Sequence, residues 1–179
     1  MYYSTTYQSP VGLLTLASNE TELVGLWIEG QKYHGDTIPE ALAQNDTLAV
    51  FDLAKAWLDR YFAGQKPNVR ELPLAPIGGA FRLEVWRILC EIPYGEVTTY
   101  GEIAKKIAAQ RGKTRMSSQA VGGAVGHNPI SIIIPCHRVV GSNGSLTGYA
   151  GGIKTKERLL ALEGIDVSRF SIPTKGTAL

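Results

Sequence analysis

Cysteine is scarce in this chain: Cys90 and Cys136 are the only two among 179 residues. Cys90 falls inside an apolar helical pattern, so no structural disulfide is expected and a reducing compartment is the natural setting. Histidine is almost as rare, with three residues. His34 has carboxylates nearby but no cysteine, which is far short of a metal-ligand set, so no metal or other cofactor is expected. No apolar run is long enough to cross a bilayer, and Met1-Tyr2-Tyr3-Ser4-Thr5 lacks the charged and apolar regions of a leader. The expectation is a soluble, cytoplasmic protein with no membrane contact.

Charge is scarce overall but unevenly divided. Residues 1–80 carry five basic against nine acidic side chains, and residues 81–179 carry thirteen against seven. A basic half of this kind suits a polyanion such as nucleic acid, although a solvated basic face looks the same. At this length the chain can bury a sizeable core as one large or two small domains. The expected division is residues 1–80, an α/β scaffold with its connector, and residues 81–179, a mainly helical domain.

The first half alternates or clusters β-formers over Tyr2 to Tyr7, Leu13 to Ala17 and Glu22 to Ile28, with turn residues between, which predicts a three-stranded meander. From Thr47 to Gly64 apolar residues recur at three- and four-residue steps, an amphipathic helix that should pack on the sheet. Lys66 to Gly79, rich in Pro and Gly, reads as the connector.

The second half opens with a helical face of Phe81, Val85, Ile88, Leu89 and Ile92, ending at Pro93-Tyr94-Gly95. Thr99-Tyr100-Gly101-Glu102 is a capping box for a helix from Tyr100 to about Ala109. Ser117 or Ser118 can cap another through Val125. Two short helices around a glycine turn, the second preceded by Arg111, Lys113 and Arg115, outline a helix-turn-helix. Ala120, Gly122, Gly123 and Ala124 leave this second helix nearly bare; small residues serve either tight packing on a neighbour or entry into a narrow groove.

Ile130 to Ile134 then reads as a buried strand terminated by Pro135. Cys136-His137-Arg138 follows, and core packing does not call for a thiol, an imidazole and a guanidinium in succession. Basic neighbours lower a thiol pKa and favour the nucleophilic thiolate. Asn143-Gly144 suits a tight turn, and in Gly148-Tyr149-Ala150-Gly151-Gly152 the glycines admit a flat ligand on which Tyr149 could stack. A last helix, Ile153 to Glu163, is expected to bury Leu159 and Leu162. Glu163 faces the negative end of that helix dipole, which costs about 0.3–1 kcal/mol and points to a partner, with His137 the candidate. Beyond Asp166 the chain reads as a tail.

The blocks Asn128-Pro129-Ile130, Ile134-Pro135-Cys136-His137-Arg138-Val139-Val140-Gly141, Gly95-Glu96-Val97 with Tyr100, Ala120-Val121-Gly122-Gly123-Ala124, Gly148-Tyr149-Ala150-Gly151-Gly152 and Glu163-Gly164 resemble those of the O6-alkylguanine-DNA alkyltransferases, also called methylated-DNA-protein-cysteine methyltransferases. The likeness runs from about Phe81 to Gly164; residues 1–80 match only in their pattern of elements. It implies an α/β fold with a small ribonuclease H-like N-terminal β-sheet domain and a winged-helix-like C-terminal domain containing the helix-turn-helix. It also implies a monomer that enters the DNA minor groove largely without regard to sequence. Cys136 would irreversibly accept the alkyl group of O6-methylguanine or O4-methylthymine, His137 would act as base through water, and Glu163 would orient His137. Asn128 would hold the turn beneath the thiol, and Tyr100 would press on the phosphate or protonate the leaving guanine. The base must be flipped out of the stack. Arg82 and Ser142 match phosphate-contacting positions, and Tyr149 and Ala150 lie in the ligand loop. Gln119 stands where better-known members place an arginine in the gap left by the flipped base, with Arg115 nearby as a source of charge. The structural zinc of some members has no ligand set here.

Two other readings stay in view. Alkyltransferase-like lesion-binding proteins have Trp at the position of Cys136, and a cysteine hydrolase could use Cys136 with His137. Adjacent residues on a strand point to opposite faces, which counts against the hydrolase.

Overall fold

In a computed structural model, which describes residues 1–173, the chain forms two compact units: Met1–Gly78 with Pro129–Ile133, and Gly79–Asn128 with the chain from Ile134 onward.

The first unit is a four-stranded sheet in the order β3-β2-β1-β4, built from β1 (Tyr2–Ser9), β2 (Gly12–Ser18), β3 (Leu23–Ile28) and β4 (Leu42–Gln44). β1, β2 and β3 pair antiparallel, as the expected meander requires, while β4 joins β1 in parallel, from Tyr2 opposite Leu42 to Ser4 opposite Gln44. All six residues of β3 are buried. The indole of Trp27 folds over Gly25, where a Cβ would stand 2.2 Å from the ring. Helix α1 (Ala49–Phe62) buries Val50, Phe51, Ala54, Trp57, Leu58 and Tyr61, one stripe at three- and four-residue steps, against the sheet. The connector is more ordered than its Pro and Gly content suggests. Trp57 Nε1 donates to Asn68 O at 2.8 Å, and Leu74 bridges Leu23 of β3.

The expected strand Ile130 to Ile134 does not form. Ile130 makes a single bridge to Leu26, and the chain then turns through Ile132 at φ 72°, a left-handed backbone rare for a β-branched residue. The run is apolar because the turn is buried, not because it belongs to a ladder: every residue from 130 to 134 is at most 1% exposed.

The second unit holds α2 (Ala80–Leu89), α3 (Tyr100–Gln110), α4 (Ser118–Gly126) and α5 (Ile153–Leu162), with a short parallel pair, β5 (Thr98–Thr99) and β6 (Val139–Val140). Thr99 Oγ1 caps α3 by accepting from Glu102 N at 3.1 Å, while the Glu102 carboxylate accepts from Lys105. Ser117 caps α4 through Ala120 N. Trp86 Nε1 of α2 donates to Ala124 O of α4 at 2.8 Å, and Arg111 after α3 pairs with Glu84 of α2 at 2.7 Å over the Phe81 ring. These ties hold the helix-turn-helix in register.

Helix α5 buries Leu159 and Leu160; Leu162, expected inside, is 37% exposed because the buried stripe runs through Lys156, Leu159, Leu160 and Glu163. Gly164, at φ 83°, ends it. The supposed tail is built in as far as Ser171, and its residues 174–179 lie outside the described residues. Asp166 caps a 3-10 turn at Val167–Arg169, Phe170 packs with Val140, Leu146, Leu160 and Ile165, and Ser171 bridges Ser145.

Candidate active site

Cys136 does not stand at a strand exit but opens a 3-10 turn, Cys136–Arg138, so the opposite-faces argument does not apply to Cys136 and His137. Its amide donates to Ile134 O at 2.8 Å, and Asn128 Nδ2 donates to the same carbonyl at 2.8 Å. Asn128 therefore lies against the turn carrying the thiol, and its side chain also hydrogen-bonds the sulfur. Only 6% of Cys136 is exposed. Burial pushes the thiol pKa up, opposed by the Asn128 hydrogen bond and the charge of Lys156.

His137 is fully buried, with Nε2 2.6 Å from Glu163 Oε2. An ionised carboxylate only accepts, so Nε2 carries the proton and the lone pair stands on Nδ1. Burial drives the imidazole pKa below its ordinary value, though Glu163 pulls the other way. The ring is a neutral base at pH 7.

Glu163 caps the C-terminus of α5 and collects donors from three residues. Besides His137, Arg138 Nε donates to Oε1 at 2.7 Å, Arg138 Nη2 to Oε2 at 3.1 Å, and Gly95 N to Oε1 at 3.1 Å. Burial alone would raise this carboxyl, but His137 and Arg138 outweigh it and hold the pKa at about 2. Arg138 completes its bonding through Nη1 to Ile92 O at 2.7 Å, with its guanidinium 5.7 Å from the Tyr94 ring centre.

The sequence suggests that His137 and Arg138 activate the thiol, but both are engaged elsewhere. Arg138 is committed to Glu163 and Ile92, and His137 is held neutral. The cation that acts on Cys136 is Lys156, fully buried in α5, with Nζ donating to Val139 O and Leu146 O at 2.6 Å each. Burial brings its pKa down to about 8, with Cys136 pulling it upward. Lys156 escaped the sequence reading, yet it left a signal: it precedes Leu159 and Leu160 by three and four residues and so shares their apolar face.

Tyr100 begins α3 with its hydroxyl 3.0 Å from Thr147 Oγ1, and a Cβ at Gly122 would lie 3.8 Å from its ring. Burial raises the phenol pKa. An open groove of about 470 Å³ is lined by Tyr100 and Gly101 of α3, Ser118, Gln119 and Gly122 of α4, and the Gly141–Asn143 turn. Gln119 and Ser142 are exposed on its walls. Arg115 is exposed in the turn before α4, and Arg82 is half-buried on α2; neither lines the groove. Tyr149 is buried, with 8% exposed, and Ala150 is half-buried beside it.

The bareness of α4 can now be divided by face. Val121, Ala124 and Val125 are buried, whereas Ala120 and Gly123 are exposed, and an added Cβ at Gly123 would meet nothing within 4 Å. Packing therefore explains Ala124 but not Gly123. Among the described residues no group of three or more His, Cys, Asp or Glu could hold a metal, and no helix is long and apolar enough to cross a membrane.

Fold and site together define a class: a helix-turn-helix protein whose second unit carries a buried thiol beside an imidazole–carboxylate pair. Comparison with known proteins narrows it. Residues 1–76 match the ribonuclease-like domain, and residues 80–165 the DNA-binding domain, of 6-O-methylguanine DNA methyltransferase. The methylated-DNA–protein-cysteine methyltransferase of Methanosarcina acetivorans is 45% identical over 165 residues, covering 92% of this chain and 99% of that one. The protein of the same name from Haemophilus influenzae is 43% identical over 163 residues, covering 91% and 87%. Among solved structures, the O6-methylguanine methyltransferase of Mycobacterium tuberculosis superposes with a TM-score of 0.76 at 40% identity, covering 96% of each chain. The OGT of that organism in complex with DNA gives 0.76 and 40% over 94% of each. The chain belongs to the 6-O-methylguanine DNA methyltransferase family, and DNA is its partner.

Proposed function

We propose that Cys136 is the cysteine to which this chain, in repairing DNA, transfers the alkyl group of O6-methylguanine. One observation carries the assignment: a nearly inaccessible thiol is hydrogen-bonded by Asn128 and feels the charge of Lys156, next in the chain to an imidazole whose Nε2 is fixed by Glu163. In the reaction the Sγ–carbon bond forms as the carbon–O6 bond breaks. The thiol proton passes through water to His137 Nδ1, and the guanine recovers a proton as its leaving pair is released. The product is a thioether on a saturated carbon, with no carbonyl for water to attack, so each molecule reacts once. O4-methylthymine would present the same bond to the sulfur.

Burial of the thiol requires the damaged base to leave the stack, at a cost of a few kcal/mol. The exposed, nearly bare face of α4 suits the minor groove, where sequence is read poorly, with Arg82, Arg115 and Ser142 toward phosphates and Gln119 at the groove wall. Tyr149 and Ala150 belong to the loop that would border the flipped base. The protein acts as a monomer, and two cysteines without a disulfide suit a cytoplasmic setting. Incubation with methylated duplex followed by peptide mass mapping tests the assignment. One alkyl group per molecule, on Cys136, is expected; multiple turnover, or label on Cys90, refutes it.

A further inference from the structure

Thr147 occupies a position that its residue type disfavours. Its φ of 57° is left-handed, where a β-branched side chain is strained, although Gly144 and Gly152, the left-handed residues before and after it, show that this segment otherwise uses glycine. Glycine would adopt that backbone freely but would bring no hydroxyl. The hydroxyl is engaged twice: Oγ1 lies 2.6 Å from Leu146 O and 3.0 Å from the Tyr100 hydroxyl.

The direction of these bonds follows from chemistry. A carbonyl oxygen can only accept, so the single Thr147 proton goes to Leu146 O. Lys156 Nζ, which can only donate, reaches the same carbonyl at 2.6 Å. With its proton spent, Thr147 Oγ1 can only accept from Tyr100. The chain of bonds therefore runs from Tyr100 to Thr147 to Leu146 O, where it meets Lys156, the cation that acts on Cys136.

We infer that Thr147 is a positioning residue for alkyl transfer: its strained backbone and committed hydroxyl fix the Tyr100 ring at the groove wall and hold the phenol proton inward until a bound base draws it away. In that arrangement Tyr100 turns a lone pair toward the groove, and its proton reaches a base only by leaving Thr147. The inference rests on the reading of Cys136 as acceptor and Tyr100 as a base-facing residue.

The test is the single-turnover rate of Cys136 alkylation by free O6-benzylguanine, which needs no flipping, in wild type, Thr147→Val, Thr147→Ser, Tyr100→Phe and the Thr147→Val/Tyr100→Phe double variant. Thr147→Val keeps the shape and removes the hydroxyl; loss of one ordinary hydrogen bond predicts a rate lower by roughly fivefold to tenfold. Thr147→Ser keeps the hydroxyl and is expected to stay within about twofold of wild type. The double variant is expected to be no slower than Tyr100→Phe alone, since Thr147 acts through the phenol. Thermal unfolding checks each variant, and Thr147→Ala replaces Thr147→Val in every comparison if the latter does not fold. A Thr147→Val rate at or above wild type, a Thr147→Ser rate as low as that of Thr147→Val, or multiplicative losses in the double variant would overturn the inference while leaving Cys136 in place. Tyr100→Phe reacting at the wild-type rate overturns both the inference and the role of Tyr100. Alkyl label away from Cys136 in wild type overturns the acceptor assignment itself.

Discussion

Replacing Glu163 by glutamine tests whether one carboxylate serves both the stability of the second unit and its chemistry. The substitution keeps the shape but leaves a single side-chain oxygen where the carboxylate has two. That oxygen can accept from His137 Nε2 or from Arg138 Nε, which now lie 2.6 and 2.7 Å from separate oxygens. The amide nitrogen must then face a donor. Arg138, only 8% exposed, keeps Ile92 O but loses its counter-charge. Breaking a buried ion pair from one side costs about 3–5 kcal/mol. The carboxyl pKa, down from 4.5 to about 2, converts to roughly 3 kcal/mol at about 1.4 kcal/mol per unit, so the two routes agree. Because the folded pKa is the lower one, this contribution is complete above pH 4.5 and disappears as pH falls through about 2. Glu163→Gln should therefore unfold at lower urea near neutral pH and show a flatter acid limb. Alkyl transfer should slow by roughly tenfold to a hundredfold, part of what a general base contributes, because the imidazole is no longer fixed. Duplex affinity should stay unchanged, since the Glu163 side chain is fully buried. Adding Arg138→Met separates the two roles: it removes the buried guanidinium that Glu163→Gln leaves without a counter-charge, so the double variant should regain about half or more of the lost stability yet remain slow. A double variant as unstable as the single one, or one with its rate restored, would refute the division of labour.

Two further predictions concern α4. Gly123→Ala adds a methyl group into open space on an exposed helical site, so it should raise stability by up to about 1 kcal/mol in thermal unfolding; if bareness serves the minor groove, it should also weaken duplex binding, and unchanged affinity would refute that use. Gln119 can hydrogen-bond an orphaned cytosine but supplies no charge, so Gln119→Ala should slow repair in duplex and spare the reaction with free O6-benzylguanine, with Arg115→Ala as the comparison; equal losses on both substrates would mean that Gln119 shapes the pocket instead.

Helix and strand placement was legible where the signal is local. Alternation or clustering of β-formers marks β1, β2 and β3, and Thr99 and Ser117 mark the starts of α3 and α4 through their own hydroxyls. β4 was not visible: three residues, Leu-Ala-Gln, carry little β preference, and the strand exists because β1 offers an open edge. Ile130 to Ile134 misled because a buried turn and a buried strand select the same apolar residues, while the left-handed Ile132 leaves no mark in composition. The site divides along the same line. His137 and Glu163 could be matched because each has a chemical need that the other meets. Lys156 and Thr147 could not, since what they bind is largely backbone carbonyl, which every residue carries and no sequence distinguishes.

The buried charges show how a hidden thiol can still become a nucleophile. Moving the proton from Cys136 to His137 leaves the total charge of the site unchanged but creates a thiolate and an imidazolium where both groups were neutral. In a poorly polarisable interior such a separation is costly unless each new charge meets a fixed opposite one. Lys156 acts on the sulfur and Glu163 touches the imidazole, so both counter-charges stand in place before the proton moves. Lys156→Met removes only the first. Without the ammonium the thiol pKa must rise further, so the pH midpoint for Cys136 alkylation by iodoacetamide should shift to higher pH. In Glu163→Gln that midpoint should barely move, because Glu163 acts on the imidazole, whereas transfer from O6-methylguanine at neutral pH should be slow in both variants. Equal shifts of the iodoacetamide midpoint in the two variants would show that the charges form one undivided field around the sulfur.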